Sequence, residues 1–202
     1  MRAEADATSG FEVRPESVAA PGDDLVGRAR GGDDDAFAQL YRWAQPPLLR
    51  YLRVLTGSAA VEAEDIAAET WLHACRDLTR FRGGQTDFLA WLLRIGRNRA
   101  LDQFRRDGRR PALPVPAERL HPIPGPDDTE HQALTGVSTE AALALISSLP
   151  PEQAEAVMLR TVLGLDARSA ARILAKRPGA VRMAAHRGLQ ALAAKLSAGE
   201  GE

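Results

Sequence analysis

Between Phe81 and Arg110 the chain reads FRGGQTDFLAWLLRIGRNRALDQFRRDGRR, with eight arginines (82, 94, 97, 99, 105, 106, 109 and 110) against three aspartates (87, 102 and 107), a local charge of +5. Guanidinium groups stay charged at any physiological pH and present paired donors in one plane, which suits phosphate. At about 100° per residue, Phe88, Trp91, Leu92 and Ile95 share one side of a helix and Leu89, Leu93, Ala100 and Phe104 another. Between them runs a narrow polar strip of Arg94, Asn98 and Arg105, with Arg97 at its edge. The free back face could carry any charge needed for solubility, so arginines in the strip read as a presented surface. They could neutralise phosphates and stack on bases while Asn98 bonds a base edge. The alternative is a solvated arginine face paired to neighbouring acids, and the mixture of charge and aromatics favours nucleic acid over it.

The approach to that helix, Phe81-Arg82-Gly83-Gly84-Gln85-Thr86-Asp87, has two adjacent glycines that let backbone come close to a ligand. Gln85, Thr86 and Asp87 add groups able to hold an unstacked base. A turn in which Thr86 or Asp87 caps the next helix explains the same residues, and both readings can hold together.

A second basic group lies near the C-terminus. Lys176 and Arg177 precede a helix that begins at Pro178, and Arg182, His186 and Arg187 share its exposed side, with Met183 between them and Arg172 near its start. Helix, short turn and basic helix is a helix-turn-helix arrangement whose N-terminal end can enter a major groove. An ordinary helical hairpin with a basic face is the rival reading.

The third candidate surface is acidic. Over the helix expected at Val61 to Leu78, Glu62, Asp65 and Glu69 fall opposite an apolar face of Ala67, Trp71, Ala74, Cys75 and Leu78, with His73 and Leu72 beside them. Carboxylates in a first turn suit the helix dipole, but Glu69 lies too far in for that. The strip is either a solvated face or a docking surface for a basic partner protein.

These surfaces need helices to hold them. Hydrophobic residues make up 45% of the 202 and aromatics only 5%, an Ala/Leu-rich mixture that predicts an all-α protein. The net charge of −1 hides segregation: residues 1–35 carry −5, 111–140 carry −4 and 141–196 carry +5. A single cysteine, Cys75, excludes an internal disulfide framework and fits a reducing compartment. Its place on the apolar face predicts a small core residue rather than a nucleophile, which weighs against an enzyme using Cys75 with His73 or His186. The acidic N-terminus lacks a signal peptide's apolar core and no run is long enough to span a bilayer, so the expected location is the cytoplasm.

The expected organisation is a disordered leader over 1–22, a helical domain over 23–110, a flexible linker over 111–138, a second helical domain over 139–196 and a tail over 197–202. Asp33 to Asp35 should cap a helix bearing Ala36, Phe37, Leu40 and Tyr41, which Pro46-Pro47 interrupts or restarts before it ends at Gly57. Pro111 to Ser138 is proline-dense, acidic and aperiodic. His121 and His131 fall in it with no ligand cluster at metal spacing, so no metal is expected. Helices are expected from Ala141 to Leu149, from Glu152 to Leu163, from an Asp166 cap through Ala170, Ile173 and Leu174, and from Pro178 through Val181, Ala185, Leu189 and Leu192.

The run VEAEDIAAETWLHACRDLTRFRGGQTDFLAWLLRIGRNRALDQFRR resembles the second conserved region of bacterial sigma factors of the extracytoplasmic-function group, and LPPEQAEAVMLRTVLGLDARSAARILAKRPGAVRMAAHRGLQAL resembles their fourth. The resemblance covers about residues 23–196 and implies an initiation factor that binds core RNA polymerase and directs it to a promoter. On it, Asp65 and Glu69, with Glu62 and Leu72 on the same face, dock on the polymerase. Arg82, Gln85, Thr86, Asp87, Arg94, Arg97, Asn98 and Arg105 melt the −10 element and capture bases. Lys176, Arg177, Arg182, Met183, His186 and Arg187 read the −35 element. It implies no cofactor and no covalent chemistry, and an anti-sigma factor as a further partner. The chain departs from the pattern at Ser169, where glutamate is usual, and in Ala180, Met183, Ala184 and Ala185. With fewer base-reading side chains, shape and phosphate contacts are expected to dominate there. The rival is a helix-turn-helix regulator that never joins the polymerase.

Overall fold

The computed structural model describes residues 24–57, 60–108 and 130–199, with backbone alone at 130–138 and 198–199. Among them every regular element is helical: α1 (Leu25–Arg30), α2 (Asp34–Leu55), α3 (Ala60–Asp77), α4 (Gln85–Arg106), α5 (Glu130–Ser147), α6 (Pro151–Val157), α7 (Ala167–Leu174) and α8 (Pro178–Gly199). The expected leader, most of the expected linker with His121, and residues 200–202 of the expected tail lie outside the described residues. No described helix is long and apolar enough to cross a membrane.

Side-chain caps set the starts of α1 and α2. Asp24 Oδ1 accepts from the Gly27 amide at 2.8 Å and Asp33 Oδ1 from the Ala36 amide at 2.9 Å, each satisfying a first-turn N–H that has no helical partner. The break expected at Pro46-Pro47 does not occur, and α2 runs through both prolines. A proline in a helix interior costs about 3 kcal/mol through its missing N–H and its clash with the preceding turn. The face it would disrupt is worth more: Ala36, Leu40 and Ala44 before the pair and Leu48, Tyr51, Leu52 and Leu55 after it lie in one buried stripe, with Pro47 itself buried. At about 2 kcal/mol per buried leucine side chain, keeping both halves in the core outweighs the prolines.

Trp71 organises the first helical group. Its ring lies 4.8 Å from Tyr41, 6.0 Å from Phe37 and 6.2 Å from Phe88, and its Nε1 donates to Gln45 Oε1 at 2.6 Å. Phe81 continues the cluster onto Trp91 at 5.0 Å. Cys75, expected on this buried face, is exposed. The face is centred on Ala63, Ile66, Ala67, Thr70, Trp71 and Ala74, and the residue after Ala74 turns about 100° away from it.

Between α3 and α4 a single 3₁₀ turn (Leu78–Arg80) leads to a short loop, in which Gly83 takes φ +143°, a value that side chains rarely adopt. Gly84, not Thr86 or Asp87, is the N-cap of α4, so Gln85, Thr86 and Asp87 form its first turn. Farther along, α4 approaches α2 and α3 closely at Gly96. A Cβ there would lie 3.0 Å from Leu48 Cδ1 and 3.3 Å from Thr70 Oγ1.

In the second group α5 begins at Glu130, not Ala141, and so enters the span assigned to the linker. No proline falls between Pro126 and Pro150, so nothing stops the helix from extending back. Pro150-Pro151 ends α5, and α6 starts at Pro151, one residue before the expected Glu152, since a proline's missing N–H is one a first turn does not use. After Val157 the helix widens into a π turn, Met158–Val162, where a regular helix to Leu163 was expected. Arg160 Nη1 donates to Leu165 O at 2.6 Å across the bend that follows. On α8, Val181 and Ala185 are buried, but Leu189 is 43% exposed.

The two groups touch. α5 and α6 pack on α2, and α7 packs on α4. Buried apolar residues form one cluster from Leu25 to Ala185, with Val54 and Leu55 of α2 facing Leu149 and Ala154 across the junction. Gly96→Val should overpack the α2/α3/α4 junction and lower stability by about 1–3 kcal/mol in urea unfolding followed by circular dichroism.

Candidate nucleic-acid interface

Helix α4 carries the polar strip as a seam between buried flanks. Phe88, Leu92, Leu89, Leu93, Ala100 and Phe104 are buried, Trp91 and Ile95 are half-buried, and Arg94 and Asn98 are exposed. Arg94, Arg97 and Asn98 line one cleft together with His73 and Asp77 of α3, Trp91 and Ile95, and Arg172, Ile173 and Ala175 from α7 and its end. Arg94 and Asn98 make no hydrogen bond or ion pair among the described residues.

Arg97 is different. Its side chain is 17% exposed and grips the Glu155 carboxylate with Nε on Oε2 at 2.6 Å and Nη2 on Oε1 at 3.2 Å. The buried Tyr51 hydroxyl donates to the same Oε2 at 2.8 Å. Burial, then the Glu155 charge, pushes the Tyr51 phenol well above its ordinary range, so it stays a neutral donor. Burial works against the charge on Arg97, but the hydrogen bonds to Glu155 and its charge outweigh it and hold the guanidinium above its ordinary value.

Arg105 stands apart from the cleft, two turns on from Asn98. It pairs with Asp102 at 3.0 Å but remains 75% exposed, so water and any ligand still reach it. Before α4, Arg82 Nη1 donates to the carbonyls of Thr79 (3.0 Å) and Phe81 (2.9 Å), bracing the glycine loop. Gln85 is half-buried and its Nε2 is a buried donor without a partner among the described residues. Such a group costs about 1–3 kcal/mol until an acceptor reaches it. Thr86 and Asp87 are exposed, and Asp87 faces Arg172 at 3.6 Å.

On α3, Asp65 and Glu69 are exposed and Glu62 half-buried, and Leu72 is 59% exposed beside them. Val61, 72% exposed, adds apolar surface at the start of the same helix. Sequence reading passed over Val61 because a valine at a helix start is indistinguishable from a core residue.

In the C-terminal group Arg177, Arg182, Met183, His186 and Arg187 are exposed, while Lys176 is half-buried and paired with Glu152 at 2.5 Å. Ala175 ends α7 in the left-handed region (φ 53°), which makes the tight turn into α8. Asp166 caps α7, accepting from the amides of Arg168 (2.7 Å) and Ser169 (3.0 Å), and the Ser169 hydroxyl donates to its other oxygen at 2.8 Å. Arg172 in turn donates to Ser169 Oγ at 3.1 Å. Ser169 is buried, so it serves the cap rather than a groove.

The described residues thus hold a four-helix group with an arginine seam, followed by a helix-turn-helix. Residues 40–110 match the family model of Sigma-70 region 2 and residues 139–192 that of Sigma-70, region 4. The chain is 34% identical over 173 residues to the ECF RNA polymerase sigma factor BldN of Streptomyces coelicolor, covering 86% of this chain and 65% of that protein. It is 34% identical over 175 residues to the ECF RNA polymerase sigma factor SigD of Mycobacterium tuberculosis, covering 84% of this chain and 81% of SigD. Among solved structures, CnrH in complex with the cytosolic domain of CnrY shares the fold, with a TM-score of 0.60 and 24% identity over 86% of this chain and 96% of CnrH. The chain belongs to the extracytoplasmic-function sigma factors, DNA-recognition subunits that direct promoter-specific transcription by RNA polymerase.

Hydrogen bonds from Ser169 hold the Asp166 carboxyl below the usual carboxylate range. Asp166→Ala should therefore lower stability by about 1 kcal/mol at neutral pH in chemical denaturation. The cap is at full strength above the unfolded value near ~3.9 and is lost as pH falls through the lower folded value, so parent and variant should converge only in that acid range.

Proposed function

We propose that residues 23–110 dock on core polymerase and open the −10 DNA, that 139–196 engage the −35 DNA, and that no covalent step is catalysed. The observation that carries the reading is the exposed, unpaired Arg94 and Asn98 on a helix whose two flanks are buried, beside a braced glycine loop with an orphan Gln85 donor. Opening is driven by differential affinity. Flipped bases and single-stranded phosphates find Arg82, Gln85, Thr86, Asp87, Arg94, Arg97, Asn98 and Arg105, which a closed duplex does not reach.

Asp65, Glu69 and Leu72, with Glu62, form the polymerase-docking face. Exposed leucine amid carboxylates gives apolar burial at the centre and charge at the rim, as protein interfaces have. Arg177, Arg182, Met183, His186 and Arg187 address the −35 element, with Lys176 joining once it leaves Glu152. Phosphate contact and shape outweigh base readout, because Ala180 and Ala184 offer no hydrogen bond. The protein acts where its polymerase does, in the cytoplasm. CnrH is solved with the cytosolic domain of CnrY, and a comparable protein inhibitor is proposed for this chain.

Arg94→Ala with Asn98→Ala should impair promoter opening while leaving polymerase binding near normal; unchanged permanganate reactivity of promoter thymines defeats the assigned role. Asp65→Arg with Glu69→Arg should weaken capture of core polymerase at least tenfold, on the order of 1.4 kcal/mol or more. Undiminished co-elution with core enzyme defeats the docking face.

A further inference from the structure

Glu155 is a carboxylate that its own helical group does not satisfy. Residues 141–196 hold three acids. Glu152 pairs with Lys176 and Asp166 caps α7, both within the C-terminal group. Glu155 has a side chain only 9% exposed, and its hydrogen-bond partners, Tyr51 and Arg97, both come from the N-terminal group. An ionised carboxylate withdrawn from water needs such partners, so its burial is a property of the junction and not of region 4 by itself.

We propose that the free chain holds itself closed, with Glu155 standing in for a DNA phosphate on Arg97 and covering part of the promoter-facing surface until the two regions separate. The inference rests on the reading of Arg94, Arg97 and Asn98 as strand-binding residues. A carboxylate held by two parallel guanidinium donors occupies the sites that a phosphate would use, so strand and Glu155 compete for one side chain. Around this contact Val54 and Leu55 meet Leu149 and Ala154, and Asp87 meets Arg172. Ile173 and Ala175 share the cleft with Arg94 and Asn98, so the route to those two residues runs past α7. The acidic α3 face lies outside the junction, with Asp65, Glu69 and Leu72 exposed in the closed arrangement. Polymerase can therefore be met before DNA.

The test uses the full chain without polymerase, as parent, Glu155→Ala and Tyr51→Phe. Small-angle X-ray scattering gives the dimensions, and fluorescence anisotropy gives the affinity for a labelled 20-nucleotide single-stranded DNA of mixed sequence. Glu155→Ala should expand the particle and tighten DNA binding on the order of tenfold, since apparent affinity is scaled by the fraction of open molecules. Tyr51→Phe removes one hydroxyl and keeps the ring in the core, so it should shift both readouts the same way by less, and it guards against misfolding of Glu155→Ala. Dimensions identical in parent and both variants overturn the latch and leave the strand-binding reading standing. Expansion without tighter binding overturns the occlusion. If Arg94→Ala placed in the Glu155→Ala background also leaves DNA affinity unchanged, the strand-binding reading falls as well.

Discussion

Helix α4 has to hide Phe88, Leu89, Leu92, Leu93, Ala100 and Phe104 on two flanks, and a helix can do that only with neighbours on both sides. Helices α2 and α3 supply one wall, and α7 packs along another part of its length. What remains between the walls is a seam wide enough for a few side chains, occupied by Arg94, Arg97 and Asn98. Arg97, 17% exposed in that seam, meets less water than a charge on an open face, so its attraction to Glu155 carries more energy. The exposed acids of α3 belong to the same packing, because α3 turns Trp71 inward against α4 and thereby turns Asp65 and Glu69 outward.

Along α4 three arginine environments differ in kind. Arg94 is solvated and unpaired, Arg105 shares an exposed carboxylate, and Arg97 is nearly buried on a carboxylate from the other region. Only the last pairing couples the local charge to the arrangement of the whole chain. Tyr51 reinforces it as a neutral donor from near the C-terminal end of α2, tying a core residue to a surface event.

Much of the fold could be read from periodicity. The spans of α3, α4, α7 and the start of α8 follow from apolar spacing, Asp166 and Pro178, and the two apolar flanks of α4 are those the helical wheel gives. The failures have a common cause. Pro46-Pro47 reads as a break because local propensity is visible in sequence, whereas the shared core stripe that overrides it is tertiary. Cys75 and Leu189 sit one step from the edge of a buried face, where the true centre of the face depends on which neighbour packs there. Glu155 looks like any helix-surface acid, since its partners lie 58 and 104 residues away. Its one sequence signal is rarity, as one of three acids in a basic stretch. Of the candidate site, residue types and helix faces were legible, but not which arginine was already occupied.

Gly188 decides how α8 can move. A Cβ at that position would lie 2.6 Å from Val157 Cγ2 and 3.3 Å from the Gln153 backbone oxygen, so α8 rests on α6 with almost no clearance. A rod seated that tightly can neither roll about its axis nor slide lengthwise without lifting off its support. Arg182 and Arg187 therefore keep a constant bearing on the rest of the region, and reorienting them means turning the entire C-terminal unit, not re-aiming one helix.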